Sequence, residues 1–323
     1  MDREQTKWSV VVACPLPDAV AASVAAAFDT TNLPRERPDP DEVIAALEGK
    51  DALMFTVTLP MTAGFVARLP ASVKAIGTYS VGHDHIALDA CRDRGIAVLN
   101  TPDVLTDAVA ETALLLLLGA ARRAKESLAL LQSGAWKGWQ PTQLNGVELR
   151  GKTLGIVGMG RIGRGIAERA RAFGMAIRYY NRSRLSPDLE QGAVYDATVE
   201  DLLAASDAIV LAAPATASTA GLIDRERIAV MKRGALVVNI GRGGLIDDDA
   251  LIEALLDGRI GAAGLDVFNG EPAIDDRYRS LPNVFATPHI GSSTVETRMR
   301  MAQCLIDGFD ALRRGQPASN RIA

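Results

Sequence analysis

Arg242, Glu271 and His289 are the side chains of this sequence whose types suit delivery of a proton to a carbonyl oxygen. Only three histidines occur in 323 residues, so few groups can change charge near neutral pH. His289 stands in Thr287-Pro288-His289-Ile290-Gly291-Ser292, a turn-rich segment after the strand-like run 283–286. Glu271 stands in Asp266-Val267-Phe268-Asn269-Gly270-Glu271-Pro272, past a predicted strand over 261–267. Arg242 stands in Gly241-Arg242-Gly243-Gly244 after a predicted strand over 236–240, where glycines let a guanidinium reach inward. Taken singly, such a histidine is more often structural, such a glutamate an exposed turn residue, and such an arginine part of a solvated loop. Their shared placement says more: each follows a strand of one sheet, so all three can converge on its carboxyl edge, where open α/β sheets bind ligands. Reduction of a 2-oxo acid needs these types. A hydride reaching the keto carbon leaves an oxyanion that needs a proton, which His289 can supply while Glu271 favours the imidazolium and orients the ring. Arg242 can grip the substrate carboxylate in bidentate fashion and polarise the keto oxygen.

A hydride donor is suggested by Gly155-Ile156-Val157-Gly158-Met159-Gly160-Arg161-Ile162-Gly163, a GxGxxG at the exit of a predicted strand and the start of a predicted helix. Glycines alone also mark ordinary turns. In this context the first makes the tight turn, the second admits a pyrophosphate to the backbone, and the third permits close helix packing. The next strand ends in Asn181-Arg182-Ser183-Arg184, with no carboxylate before Asp188. An acidic residue there would bind the ribose hydroxyls of NAD, whereas arginine accommodates the extra phosphate of NADP. Arg182 and Arg184, helped by Asn181 and Ser183, therefore favour NADP(H), the alternative being a solvated basic loop.

Short apolar runs alternate with helical patterns along the chain, the signature of βα units around parallel sheets. Strands are expected over 9–13, 52–56, 73–78, 96–99, 153–158, 176–180, 209–212, 236–240 and 261–267. Helices are expected over 18–28, 41–47, 62–69, 103–125, 162–173, 249–257 and 295–314, with an irregular stretch at 133–150 that carries Trp136 and Trp139. Apolar residues make up 48% and charged residues 23%, with a net charge of -4, which offers no broad basic field for nucleic acid or an anionic membrane. Leu114 to Leu118 is too short an apolar run to span a bilayer and reads as a buried helix, suited to a subunit interface. Cys14, Cys91 and Cys304 are odd in number and far apart, which suggests neither a disulfide framework nor a metal site. The polar segment Met1 to Lys7 has no signal-peptide-like apolar region behind it, so with these cysteines the expected location is the cytoplasm.

Together these strings resemble the D-2-hydroxyacid dehydrogenase family, most closely its glyoxylate/hydroxypyruvate reductase branch. The resemblance runs from about Thr78 to Thr294 through Ser80-Val81-Gly82, Val109-Ala110-Glu111, the glycine loop, Asn239-Ile240-Gly241-Arg242-Gly243, Gly264-Leu265-Asp266-Val267, Glu271-Pro272 and Pro288-His289-Ile290-Gly291-Ser292. It implies two doubly wound parallel-sheet domains, Rossmann-like and flavodoxin-like, with the active site in the cleft between them. Residues 1–102 plus 291–323 would form a discontinuous substrate domain, and 103–290 the NAD(P)-binding domain. Arg242 would bind substrate, Glu271 support the histidine, and His289 act as acid and base. Val81 and Gly82 would present N–H groups to the substrate carboxylate, with Ser292 close by. Cofactor contacts would come from Thr106, from Gly158 to Gly163, from the loop 181–184, and from Ala213, Pro214, Ile240, Asp266 and His289. The protein would be a homodimer in which Trp139 of a neighbouring subunit closes the pocket or simply packs at the interface.

The same trio also suits other acids, among them phosphoglycerate, lactate-type acids, 2-ketogluconate or phosphite. A nicotinamide-sensing protein like the corepressor relatives of the family is the alternative from a different class. The small net charge and the absence of long polar tails speak against it.

Overall fold

A computed structural model describes residues 7–323, so the expectation for the leading residues lies mostly outside the described part. The chain divides into two compact units, one made of residues 1–105 and 292–323, the other of residues 106–291.

The first unit is built on β1 (Ser9–Ala13), β2 (Asp29–Asn32), β3 (Ala52–Phe55), β4 (Ala75–Thr78) and β5 (Ala97–Leu99), all parallel in the order β2-β1-β3-β4-β5. β3, β4 and β5 are buried at every residue, as continuous apolar runs in a parallel sheet must be when helices cover both faces. Helix Val295–Arg313 returns to this unit and seats Phe309 against Trp8 and Phe28, with ring centroids 6.4 and 6.0 Å apart. Gly77 on β4 leaves the room this needs, since a Cβ there would lie 2.7 Å from the Phe309 ring.

The second unit holds β6 (Thr153–Val157), β7 (Ala176–Tyr180), β8 (Val194–Tyr195), β9 (Ala208–Leu211), β10 (Ala235–Asn239), β11 (Ile260–Leu265) and β12 (Val284–Ala286). They lie parallel in the order β12-β11-β10-β9-β6-β7-β8, so the order reverses between β6 and β9. That reversal is the switch point at which doubly wound sheets bind nucleotides. Helix Thr106–Ala121 packs on this sheet at very short range: a Cβ on Gly264 would lie 2.7 Å from the Leu116 carbonyl oxygen, and one on Gly119 would lie 2.2 Å from the Phe285 ring.

The fold departs from expectation in two places. The helix expected over 103–125 is two helices, Thr106–Ala121 and Ala124–Gln132. Asp103, with φ 69°, stands in a bend ahead of the first of them. The break has a local cause. The Ala121 carbonyl, which a continuing helix would give to its own fourth residue on, accepts the Val147 N–H at 2.8 Å, and Arg123 turns left-handed with φ 54°. Gly146 permits the approach, since its Cβ would sit 2.2 Å from that same oxygen. The second correction is of omission: the edge strands β2 and β8 and the short helix Val199–Ala205 were not expected. β2 reads Asp-Thr-Thr-Asn and owes its state to pairing with β1 rather than to apolar patterning.

Candidate active site

β10, β11 and β12 are adjacent and parallel, so the segments that follow them leave the same edge of the sheet. The structure brings Glu271 and His289 into contact there, with Glu271 Oε2 2.7 Å from His289 Nδ1. The other carboxylate oxygen accepts the Phe268 N–H at 2.7 Å, which fixes the carboxylate plane. Burial alone would raise the Glu271 carboxyl, but hydrogen bonds from His289 and the Phe268 N–H, with the nearby charges of His289 and Arg242, outweigh it and hold it below its ordinary value. Glu271 is therefore an acceptor only, so Nδ1 carries a hydrogen and Nε2 is the ring atom that could exchange a proton. His289 is held in the left-handed region at φ 54°, and its side chain is 41% exposed.

That backbone is imposed by Asp266, which is 2% exposed at the end of β11. Its Oδ1 accepts the Thr287 hydroxyl at 2.6 Å and the Ile290 N–H at 2.8 Å, and its Oδ2 accepts the Gly291 N–H at 2.8 Å. Its carbonyl takes the His289 N–H at 2.9 Å. Four bonds thus anchor the histidine loop to one buried aspartate, and one carboxylate lone pair remains for a ligand. Asn239, fully buried, does the same for Arg242: Oδ1 accepts the Gly241 N–H at 3.0 Å and Nδ2 donates to the Arg242 carbonyl at 2.9 Å. Sequence reasoning gave neither residue this role. A polar side chain ending a wholly apolar strand, as in Leu236-Val237-Val238-Asn239, is the signal that points to it.

The glycine loop leaves β6 at the switch point. Gly158 has φ 96°, and its Cβ would lie 2.7 Å from the Ala213 N, so the first turn crosses directly over the segment after β9 that carries Ala213 and Pro214. A Cβ on Gly163 would lie 2.3 Å from the Gly158 oxygen, which ties helix Arg161–Ala172 against the loop. Gly160 opens into free space, and no side chain caps that helix. Uncapped N–H groups behind a glycine with room in front of it fit the pyrophosphate of a dinucleotide. Thr106 Cγ2 would lie 3.5 Å from a Cβ on Gly165, so Thr106 packs on the same helix.

The phosphate-loop residues divide by role. Asn181 Oδ1 accepts the Met159 N–H at 2.7 Å and so braces the glycine loop. Arg184 makes a bidentate pair with buried Glu190, at 2.8 and 3.1 Å, and Glu190 also accepts the Tyr179 hydroxyl at 2.7 Å. Arg182 and Ser183 are exposed, and Arg182 has no ion-pair partner among the described residues. Ile240 is buried beside the Arg242 turn.

In the first unit, Val81 and Gly82 follow β4 and are partly exposed, as is Ser292 ahead of helix Val295–Arg313. Trp139 is 80% exposed in the irregular stretch, with Trp136 at 51%. Burial raises all three cysteine thiols, Cys14 to about 12, so none is an activated nucleophile. No cluster of three or more histidine, cysteine or acidic residues that could hold a metal ion occurs among the described residues, and no helix among them is long and apolar enough to cross a membrane.

The family model described as D-isomer specific 2-hydroxyacid dehydrogenase, NAD binding domain, matches residues 114–291. The chain is 41% identical to a glycerate dehydrogenase of Hyphomicrobium methylovorum, over 98% of this chain and all of that one. It is 42% identical to a glyoxylate reductase of Thermococcus kodakarensis, over 90% of this chain and 88% of that one. Its fold superposes with a TM-score of 0.88 on an NADPH-dependent glyoxylate/hydroxypyruvate reductase of Sinorhizobium meliloti, solved with NADP and malonate, which is 32% identical and covers 98% of this chain and 97% of that one.

Proposed function

Because this chain belongs to the D-isomer-specific 2-hydroxyacid dehydrogenase family, we propose that it reduces small 2-oxo acids, glyoxylate and hydroxypyruvate first among them, with NADPH as the preferred donor. The observation that carries this reading is the 2.7 Å contact of Glu271 with His289 Nδ1, with Arg242 on the same sheet edge. The names of the relatives support the substrate class, glycerate being the reduced form of hydroxypyruvate.

The nicotinamide, when bound over the glycine loop, supplies the hydride. His289 gives the Nε2 proton to the nascent alkoxide, and Glu271 keeps the other proton on Nδ1 and stabilises the imidazolium beforehand. Arg242 binds the substrate and polarises its keto oxygen. Val81 and Gly82 hold the carboxylate through their N–H groups, Ser292 lies near it, and Asp266 uses its remaining lone pair on the nicotinamide amide. Thr106, Ala213, Pro214 and Ile240 line the cofactor. The molecule acts as a homodimer, to which Trp139 contributes.

NADPH preference rests on Arg182 rather than on both arginines, since Arg184 is engaged by Glu190. Steady-state kinetics over a panel of 2-oxo acids with both cofactors tests the proposal. We expect glyoxylate or hydroxypyruvate to give the highest kcat/KM, and NADPH to exceed NADH by about tenfold or more, the worth of roughly one charged hydrogen bond. Arg182→Ala should erode that ratio while leaving NADH kinetics in place. A preference for NADH removes the cofactor assignment, and no turnover of any 2-oxo acid removes the reaction.

A further inference from the structure

Three successive carbonyls in the turn after β4 are held from behind. The Ser80 carbonyl accepts the Thr101 N–H at 3.0 Å, the Val81 carbonyl accepts Asn100 Nδ2 at 2.9 Å, and the Gly82 carbonyl accepts the Ser80 hydroxyl at 2.7 Å. These peptide bonds are trans, so each C=O and the N–H of the following residue point in opposite directions. Holding the three carbonyls therefore aims the N–H groups of Val81, Gly82 and His83, none of which donates to another described residue. Backbone donors left unused in a partly exposed turn need water or a ligand.

The hydroxyl holding Gly82 is itself held. Ser80 Oγ lies 2.8 Å from Thr78 Oγ1, which lies 3.0 Å from His85 Nε2. A hydroxyl has one hydrogen to donate, and Ser80 spends its own on the Gly82 carbonyl. Thr78 must then donate to Ser80, and His85 must donate from Nε2 to Thr78, which gives a one-way chain His85, Thr78, Ser80, Gly82. Thr78 is fully buried and Asn100 is 6% exposed, so neither chain competes with bulk water. Asn100 is fixed in turn by the C-terminal segment: its N–H donates to the Asn320 carbonyl at 3.2 Å, and its carbonyl accepts Asn320 Nδ2 at 2.9 Å.

We propose that Asn100 and Ser80 are positioning residues that orient the Val81, Gly82 and His83 N–H groups in advance, so that a substrate carboxylate is bound without reorganising the turn. The proposal rests on the reading above, in which this turn takes the carboxylate. Donors aimed before binding lower the cost of ordering them, and the benefit falls on affinity rather than on proton transfer.

Ser80→Ala and Asn100→Ala test it in the full-length protein, by kinetics with glyoxylate and by calorimetric titration of oxalate, a dicarboxylate that cannot be reduced, in the presence of NADPH. Each variant should raise the glyoxylate KM and the oxalate Kd by about tenfold, equivalent to one hydrogen bond, with kcat changed less than about threefold and NADPH affinity unchanged. Ser80→Thr, which keeps the hydroxyl, should restore both. Ser80→Ala carries the test alone should Asn100→Ala fail to fold. KM and oxalate affinity within about twofold of wild type in Ser80→Ala overturn the proposal and leave the functional reading standing. A wild-type protein that neither binds oxalate nor reduces any 2-oxo acid overturns both.

Discussion

In the proposed reaction Glu271 and His289 divide one task between them at the scale of single residues. The carboxylate holds Nδ1–H, the tautomer is set, and Nε2 becomes the exchanging atom. His289→Ala should therefore cost about 10²- to 10⁴-fold in kcat, the usual worth of a positioned acid, while NADPH titrates as in wild type. Glu271 also carries a pH signature. Its folded value lies below the ordinary carboxylate value of 4.5, so the pair contributes stability that is fully present above the unfolded value and is lost as pH falls through the lower folded one. An acid limb in kcat assigned to this group should thus begin below pH 4.5 and vanish from the profile of Glu271→Gln, whose kcat should be lower at all pH. A wild-type limb above that pH, or one that survives in Glu271→Gln, removes Glu271 from the role. That Glu271 and His289 could meet was legible because both follow strands of one sheet edge and the chain has only three histidines. The bracing by Asp266 and Asn239 was not: Asp266 holds backbone groups more than twenty residues on, and Asn239 holds a turn two and three residues on whose shape only the fold shows.

Between elements, the fit of helix Thr106–Ala121 on the second sheet depends on residues that contribute no side chain. Gly264 faces the Leu116 backbone, and backbone cannot turn aside as the end of a side chain can. Gly264→Ala should accordingly destabilise the protein by about 1–3 kcal/mol through overpacking, read as a lower midpoint in urea with the slope unchanged. An unchanged midpoint would show that the helix shifts at no cost. Strand periodicity was readable to within a residue or two, and β1 and β7 fall on their expected bounds. The helix break at Arg122 and Arg123 was hidden, since both residues are good helix formers and the competitor is the Val147 N–H, distant in sequence and brought in by the tertiary fold. The same holds for β2, which its partner rather than its composition makes a strand, while β8 at two residues is too short to show a period.

For the whole molecule, both parallel sheets followed from the alternation of apolar runs and helical patterns, and the reversal of strand order between β6 and β9 follows from where the glycine loop must sit. The exposed surface of the chain bears on assembly. Leu128 and Leu131 on helix Ala124–Gln132 are 51% and 61% exposed, and Trp136 and Trp139 beyond it 51% and 80%. Covering one large apolar side chain contributes roughly 1.5–3 kcal/mol, and a two-fold interface uses each residue twice. Four such residues on one stretch of chain therefore favour a second copy strongly enough to predict a dimer at micromolar concentration by sedimentation. Leu128→Glu with Leu131→Glu should shift the protein to monomer, whereas Trp139→Ala should raise the KM for the 2-oxo acid and weaken the dimer far less than the two charges do. A monomeric wild type excludes the homodimer, and a Trp139→Ala enzyme with wild-type KM confines that tryptophan to packing.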